Sequence, residues 1–412
     1  MSTSLKKYFP AGTPVKWSAS AENFFPESGE LILNDDTTLT IKLKSSRILF
    51  SWDGGGTKTV YFGSKQMTAK SPIYLGDDGL ITDIDYVFRD DSTTKNVFLD
   101  AEGFPNKERA LYGIFNENTN TIENIEIINS SHITDFEFVF ANMKHIKTVS
   151  IDTSGATTLK QMFADSAIEN SPLLNTSNVT NVMGMFYNCT NLKYIPQYDF
   201  SKVTDMSYMF GHCESLTSIP DMDTSNVTDM REMFVDCYNL TTIPKLNTSK
   251  VTDMHNMFDY CKSLTSVPDM DTSNVTNMAR MFAVCKNLIS APQLDTSKVT
   301  DMHDMFSGCN NLKSVPQLDA SSITSIQSFA GISSIFSMCY ELTDFGGFIN
   351  LKVNLDMGSC EKLTHESAMN IINNLAKVSV SRTLTFARTT YDTLSSAEIA
   401  KATYKGWTIS VA

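Results

Sequence analysis

The stretch Ser201–Thr224, SKVTDMSYMFGHCESLTSIPDMDT, decides the fold because near-copies of it follow one another along the chain. The next copy begins at Ser225, 24 residues later, and six copies run from Ser177 to Pro316. A fixed period of about 20 to 30 residues with recurring leucines is typical of a solenoid. Phenylalanine and cysteine recur in two columns at this period: Phe186, Phe210, Phe234, Phe258, Phe282 and Phe306, and Cys189, Cys213, Cys237, Cys261, Cys285 and Cys309.

A single copy cannot fold alone. Its few apolar side chains bury too little surface to offset the conformational entropy of ordering the whole copy. Stacked copies share apolar faces and hydrogen bonds between coils, and only then is folding favourable. The repeat therefore predicts that the copies form successive coils of one solenoid.

Within a copy we expect one helical and one extended segment. SNVTDMREMF (Ser225–Phe234) has a capping residue and apolar residues at helical spacing, which predicts a short helical turn. NLTTIP (Asn239–Pro244) predicts a short strand that ends at the proline. The predicted fold class is therefore an α/β solenoid of leucine-rich-repeat type, with the strands stacked in parallel.

The pattern NVTDMxxMFxxCxxLxxIP resembles that of the BspA-like leucine-rich repeats. The resemblance covers residues 177–316 strongly and implies a solenoid. Such repeats occur in surface proteins of gut and oral bacteria, in mycoplasmas, and in structural proteins of phages that infect gut Bacteroidales. The resemblance specifies the fold more closely than the function, because solenoids with the same fold carry different binding surfaces.

The first 75 residues lack the repeat. Thr37–Trp52 alternates as strands do, Gly54–Gly56 predicts a turn, and KTVYFG predicts another strand. We expect a β-rich N-terminal domain over 1–75, which either attaches the protein to an assembly or caps the first coil.

Residues 76–176 contain degenerate copies of the repeat. Ile81–Phe88 and Ile133–Phe140 match the VTDMxxMF phrase, and TTLKQMF, ending at Phe163, gives a further copy. Atypical copies are expected at the end of a repeat array.

The regular solenoid is expected over 177–362. Phe336 follows Phe306 by 30 residues instead of 24, which predicts a six-residue insertion near 325–335.

Residues 363–412 differ again and predict a small α/β C-terminal cap. LTHESAMNIINNLAK has an apolar helical face, Ser395 and Glu398 form a capping pair, and Gly406 is a natural helix stop.

Composition limits the partners and the compartment. The net charge of −13 argues against binding nucleic acid or an anionic membrane. No apolar run is long enough to insert in a membrane, and the first residues do not form a signal peptide. Cysteines in one column are expected to be buried thiols, which fits synthesis in a cytoplasm.

The sequence singles out no catalytic residue, metal site or cofactor. His255 and His303 share a column but lie two coils apart, too far to share a zinc ion. Repeated aspartates, such as Asp229 and Asp271, leave calcium between coils as an alternative. Asparagine interrupts both columns, and helix-start and turn chemistry explains the aspartates without a metal.

The exposed positions that vary between copies are the candidates for binding. In the first copy they include Lys193, Tyr194, Gln197 and Tyr198, and in later copies they are mostly small and polar. A protein-binding face usually carries Tyr, Trp or Arg anchors. Their scarcity indicates a carbohydrate, a weak ligand, or a spacer without a ligand on this side.

The leading interpretation is a non-enzymatic virion protein of a gut-bacterium phage, made in the host cytoplasm and exposed on a tail or head appendage. Its partners would be other virion proteins or a host-surface glycan or protein. The alternative is a bacterial cell-surface adhesin of the BspA-like family. A glycan-active enzyme is disfavoured because no pair of carboxylates stands out as acid and base.

Overall fold

The computed structural model describes the strands within residues 3–100, then residues 101, 111, 115, 122–323 and 334–412. The chain divides into two compact units, Met1–Asp199 (unit 1) and Phe200–Ala412 (unit 2). Three predictions fall outside the described residues: the turn at Gly54–Gly56, the degenerate copy at Ile81–Phe88, and most of the insertion near 325–335.

Unit 1 begins with two four-stranded antiparallel sheets, as the alternating sequence predicts. Their strand orders are β4-β1-β6-β7 and β3-β2-β5-β8. The strands are β1 (Thr3–Phe9), β2 (Pro14–Ala19), β3 (Ser28–Ile32), β4 (Thr37–Leu43), β5 (Ile48–Ser51), β6 (Thr57–Phe62), β7 (Lys65–Lys70) and β8 (Ile73–Tyr74).

The coils of unit 1 stack in parallel. Strands β9 (Asn96–Asp100), β10 (Asn124–Ile128) and β11 (Thr148–Ile151) form a parallel sheet in the order β11-β10-β9. Inside the coils, successive phenylalanine rings lie 5.3 to 5.7 Å apart and are fully buried. This row is Phe115, Phe140, Phe163 and Phe186.

Unit 2 repeats the arrangement with greater regularity. Its ring centroids are 5.5 to 5.8 Å apart, with interplanar angles of 3° to 13°. The predicted solenoid is confirmed, with about 11 turns at a spacing of about 24 residues. The row in unit 2 is Phe210, Phe234, Phe258, Phe282, Phe306 and Phe336.

Extended structure in the coils of unit 2 is brief. Single parallel bridges link one slot of successive coils, from Asp205 through Asp229, Asp253 and Asn277 to Asp301. Paired two-residue strands occur only in the last described coils: β12 (Ser314–Val315) with β14 (Asp344–Phe345), and β13 (Leu318–Asp319) with β15 (Phe348–Ile349).

The helical turn predicted over Ser225–Phe234 does not form. Turns at residues 225–226 and 231–234 flank the parallel bridge of Asp229 instead. We call residues 205–213 and their equivalents in the other coils, such as 229–237, the turn segment. From residues 138–142 to residues 304–308, each turn segment has two residues with left-handed backbones, as in Glu232 (φ 54°) and Asp236 (φ 57°). An α-helix requires negative φ throughout, so these positions exclude it.

The turn segments hydrogen-bond to one another as a ladder. The Tyr208 N–H donates to the Arg231 carbonyl (3.0 Å), and the Phe210 N–H donates to the Met233 carbonyl (3.0 Å). The intervening N–H groups close turns within their own coil, as Met209 does to Met206 (3.2 Å). Alternate backbone donors therefore join neighbouring coils.

The C-terminal part of unit 2 is an α/β cap, as predicted. Strands β16, β17 and β18 form a parallel sheet in that order. Thr364 caps the first helix, and Ser395 with Glu398 forms a complete capping box. The elements are β16 (Leu355–Met357), α1 (His365–Asn374), β17 (Arg382–Phe386), α2 (Arg388–Tyr391), α3 (Ser396–Tyr404) and β18 (Trp407–Val411).

Candidate functional site

The cysteines are structural donors inside the coils. The Cys237 thiol donates to the Phe210 carbonyl at 3.0 Å, and the Cys261 thiol donates to the Phe234 carbonyl at 3.1 Å. All eight cysteines are free and buried. Burial raises the pKa of the Cys189 thiol to about 12, so little reactive thiolate forms near neutral pH. The cysteine column therefore packs inside the coils and donates hydrogen bonds from one coil to another.

A threonine column has a similar role that sequence reasoning missed. The Thr224 hydroxyl donates to the Asn247 carbonyl (2.9 Å) and accepts the Asn247 N–H (2.8 Å). Thr272 does the same with Asp295. The signal was available, because this threonine recurs every 24 residues from Thr224 to Thr296 and is almost completely buried at each of these positions.

Both aspartate columns form side-chain-to-backbone turns. Asp229 Oδ1 accepts the Arg231 N–H at 3.1 Å, and Asn277 Oδ1 accepts the Ala279 N–H at the same distance in its own coil. An amide oxygen replaces the carboxylate in this role, which explains why asparagine interrupts the columns. Within the part of the chain that the structure describes, no group of three or more His, Cys, Asp or Glu side chains could hold a metal ion.

The two column histidines lie beside separate carboxylates on the turn segments. His255 Nδ1 is 2.7 Å from Asp253 and its Nε2 is 3.5 Å from Glu232. These carboxylates, Asp253 first, raise the pKa of His255 to about 9. His303 Nδ1 is 2.8 Å from Asp301.

Asp259 is a buried carboxylate on a turn segment. Arg280 donates to Asp259 Oδ2 from Nε (3.0 Å) and Nη2 (2.8 Å). Burial nevertheless raises the pKa of Asp259 to about 6, because desolvation of the carboxylate outweighs the ion pair. This ion pair links two neighbouring coils.

The candidate binding surface lies on the other side of the coils, in unit 1. We call it the strand-side patch. Tyr194 is 59% exposed and Leu173 is 80% exposed. Tyr194 is bridged in parallel to Asn170, and Lys193 Nζ lies 3.0 Å from Glu169 Oε2. The patch consists of six exposed residues: Glu169, Asn170, Leu173, Lys193, Tyr194 and Gln197.

The structure corrects the prediction for Tyr198, which is 4% exposed and does not lie on this patch. Its hydroxyl is 2.5 Å from Ser171 Oγ and donates to the Pro172 carbonyl. Burial raises its pKa. Tyr198 therefore holds the segment that carries Leu173. Its repeat column was informative, since the equivalent residues are apolar: Met222, Leu246, Met270, Leu294 and Leu318.

A groove adjoins the strand-side patch. It shares Glu169 and Asn170 with the patch, and apart from Ile146 and Ala167 its lining is polar or charged. Lys147 Nζ, on the same groove, lies 2.7 Å from Glu123 Oε2. The polar and charged residues of the lining include Lys144, His145, Lys147, Glu169, Asn170 and Asn191. Leu173 and this groove were not found from the sequence.

The stacked coils define a repeat solenoid. A comparison with known families assigns the chain to one of them. The family described as "Mycoplasma protein of unknown function, DUF285" matches residues 109–221 and 212–318, which together make up about half of the 412 residues. The chain belongs to this family.

Two solved structures with similar chains are leucine-rich repeat proteins from bacteria. One, from Bacteroides ovatus, is 14% identical, with a TM-score of 0.27, over 71% of this chain and 84% of that chain. Another, from Eubacterium ventriosum, is 19% identical, with a TM-score of 0.38, over 75% of this chain and 87% of that chain. No curated protein matches the chain. In the described residues, no helix is long and apolar enough to cross a membrane.

Proposed function

We propose that this chain is a non-enzymatic binding protein whose solenoid presents the strand-side patch to a macromolecular partner. One contrast carries the proposal. The repeated cysteines and aspartates are committed to hydrogen bonds that build the coils, as Cys237 and Asp229 are. Tyr194 and Leu173 are exposed and are not required by the repeat. Exposed residues that a scaffold does not need are candidates for recognition.

The scaffold suits this role because its interior and its surface vary independently. The buried rows and the ladder of the turn segments set the backbone, whatever residues occupy the exposed strand-side positions. The backbone under Tyr194 is held by hydrogen bonds to the neighbouring coil, so a ligand meets a preorganised surface. Coils of this kind are used widely as extended binding surfaces.

For the biological setting we propose a virion protein of a gut-bacterium phage, a tail or head appendage that contacts the host envelope or neighbouring virion proteins. Two observations support it: the resemblance of the repeat to those of such proteins, and the eight free buried thiols, which suit folding in a reducing cytoplasm before exposure. The same resemblance favours a bacterial cell-surface adhesin as the second candidate. The net charge of −13 disfavours nucleic acid as a partner in both settings.

Immunogold labelling with an antibody to the full chain tests the setting. Purified phage particles from the source culture should be labelled and should contain the full-length chain by mass spectrometry. Labelling of intact, uninfected cells with none on particles would support the adhesin instead. If neither surface is labelled, both settings are wrong.

The non-enzymatic part of the proposal has a separate test. Incubation with bacterial polysaccharides should release no new reducing ends. Product formation that an Asp-to-Asn change abolishes, with folding intact, would establish an enzyme and overturn this part.

A further inference from the structure

We infer that the strand-side patch and the adjoining groove bind a neutral glycan, with the ring of Tyr194 as the stacking platform. This rests on the proposed function and adds the chemical class of the ligand. The inference stands on three features of unit 1: an exposed ring on a fixed backbone, a groove of side chains that can pair with hydroxyl groups, and lysines that are mostly paired with carboxylates.

The ring of Tyr194 is exposed on a fixed backbone. Its carbonyl accepts the Ser171 N–H at 2.9 Å, and its own N–H donates to the Glu169 carbonyl at 3.4 Å. An exposed aromatic ring offers a flat apolar face with little side-chain entropy to lose. The C–H face of a pyranose is a flat apolar surface of similar size, so the two can stack.

The groove supplies partners for sugar hydroxyls. Asn170 and Asn191 each carry an amide that donates and accepts, which matches a hydroxyl in both directions. Glu169 adds acceptors, and Asn170 is bridged to Tyr194. Hot spots for a protein partner lie in well-packed apolar pockets, whereas this groove is mainly polar. The lining therefore favours a glycan over a protein.

The charges on this side favour a neutral ligand over an anionic one. Lys147 is paired with Glu123 at 2.7 Å, and Lys193 is paired with Glu169 at 3.0 Å. Lys144 donates to the Asp165 carbonyl at 2.5 Å. Two of these three ammonium groups are thus balanced by carboxylates, and the chain as a whole carries −13. An acidic glycan would meet no clear excess of positive charge.

The test uses the full chain on an array of neutral gluco-, manno- and galacto-oligosaccharides and their uronic-acid counterparts. Tyr194→Ala should weaken binding to the best neutral glycan at least about tenfold, whereas Tyr194→Phe, which keeps the ring, should stay within about threefold. Tyr260→Ala removes an exposed tyrosine of unit 2 and is the matched control, with binding unchanged. Binding should change little when salt is raised, because no net charge is neutralised. Circular dichroism confirms that each variant is folded.

Binding to envelope fragments from a panel of gut bacteria separates the possible failures. Periodate, which cleaves vicinal diols, should abolish binding, and proteinase K should leave it intact. Loss with proteinase but not with periodate identifies a protein partner, which overturns the glycan inference and leaves the proposed function standing. If the chain prefers glycans that contain uronic acids, and if that binding weakens strongly as salt is raised, the inference that the ligand is neutral is wrong. Binding to no fragment, glycan or particle overturns the proposed function itself.

Discussion

Eight of the described coils, from the one at residues 138–142 to the one at residues 304–308, contain two residues whose backbones are left-handed. In one column these include Tyr208, Glu232 and Arg280, and in the other Asp236 and Val284. Such a conformation costs an ordinary residue about 1–2 kcal/mol. It persists here because the N–H of each joins the ladder, as the Val284 N–H does to the Ser307 carbonyl at 2.7 Å.

Val284 is the least suitable residue for this conformation, because it is β-branched. Asparagine tolerates a left-handed backbone and occupies the same column at Asn142 and Asn188. We expect Val284→Asn to raise the free energy of unfolding by roughly 1 kcal/mol.

Val235→Asn is the control, since Val235 is buried and lies outside the left-handed positions. It should destabilise by roughly 1–3 kcal/mol. Urea unfolding measures both, and equal losses in the two variants would contradict the role given to the backbone.

His255 gives the stability of unit 2 a dependence on pH. Its folded-state pKa of about 9 lies above its ordinary 6.5, so the protonated ring stabilises the folded state below pH 6.5. That contribution is lost as the pH rises through 9. The carboxyls of Asp253 and Glu232 have lowered pKa values and stay ionised throughout this range.

Thermal melting of His255→Gln tests this contribution. The wild-type midpoint should fall between pH 6.5 and 9 more than the midpoint of the variant does. His303→Gln is the matched control, because His303 faces one carboxylate within ion-pair distance instead of two. If the midpoint of His255→Gln falls between pH 6.5 and 9 as much as that of the wild type, the ion pairs of His255 do not cause the pH dependence.

At the scale of the element, the turn segment is a ladder and not a helix. Apolar spacing alone favoured a helix over Ser225–Phe234, because Val227, Met230, Met233 and Phe234 fit a period of 3.6 residues. The competing signal was the residue type in the two left-handed columns. Glycine, asparagine and aspartate are frequent there, as in Gly184, Asn142, Asn188, Asn256, Asp165, Asp236, Asp304 and Gly308. These residues favour a left-handed backbone, so the columns carried information that periodicity did not.

The aspartate columns predict that an amide can replace a carboxylate. Asp271 Oδ1 accepts from the Ser273 N–H (3.1 Å) and hydroxyl (2.7 Å), and Asn247 makes the same pair of bonds to Ser249 (3.2 and 2.8 Å). We expect Asp271→Asn to leave the unfolding midpoint unchanged and Asp271→Ala to lower it. Melting with calcium and with a chelator should give the same midpoint for each protein. A midpoint that rises with calcium and loses that rise in Asp271→Asn would show a metal role.

At the scale of the whole molecule, the repeat predicts which residues are buried in the interior but does not predict which surface residues bind a partner. The phenylalanine and cysteine columns are buried throughout because a fixed period sets one environment per slot. Surface predictions succeeded less well. Lys193, Tyr194 and Gln197 are exposed, whereas Tyr198 is buried and Leu173, in a degenerate copy, is the more exposed apolar residue. Tyr198 differs in type from the apolar residues at the equivalent positions of other copies. In such a case the other copies predict burial better than the residue type does.

The strand-side patch is tested most directly by hydrogen–deuterium exchange of the full chain with and without bound envelope fragments. Free protein should show slow exchange at the ladder amides of the turn segments, such as Tyr208 and Phe210, because they donate to the next coil. On binding, added protection should appear at 169–173 and 193–197 and leave the turn segments unchanged. Added protection confined to the turn segments, with none at 169–173 or 193–197, would contradict the patch as the binding surface.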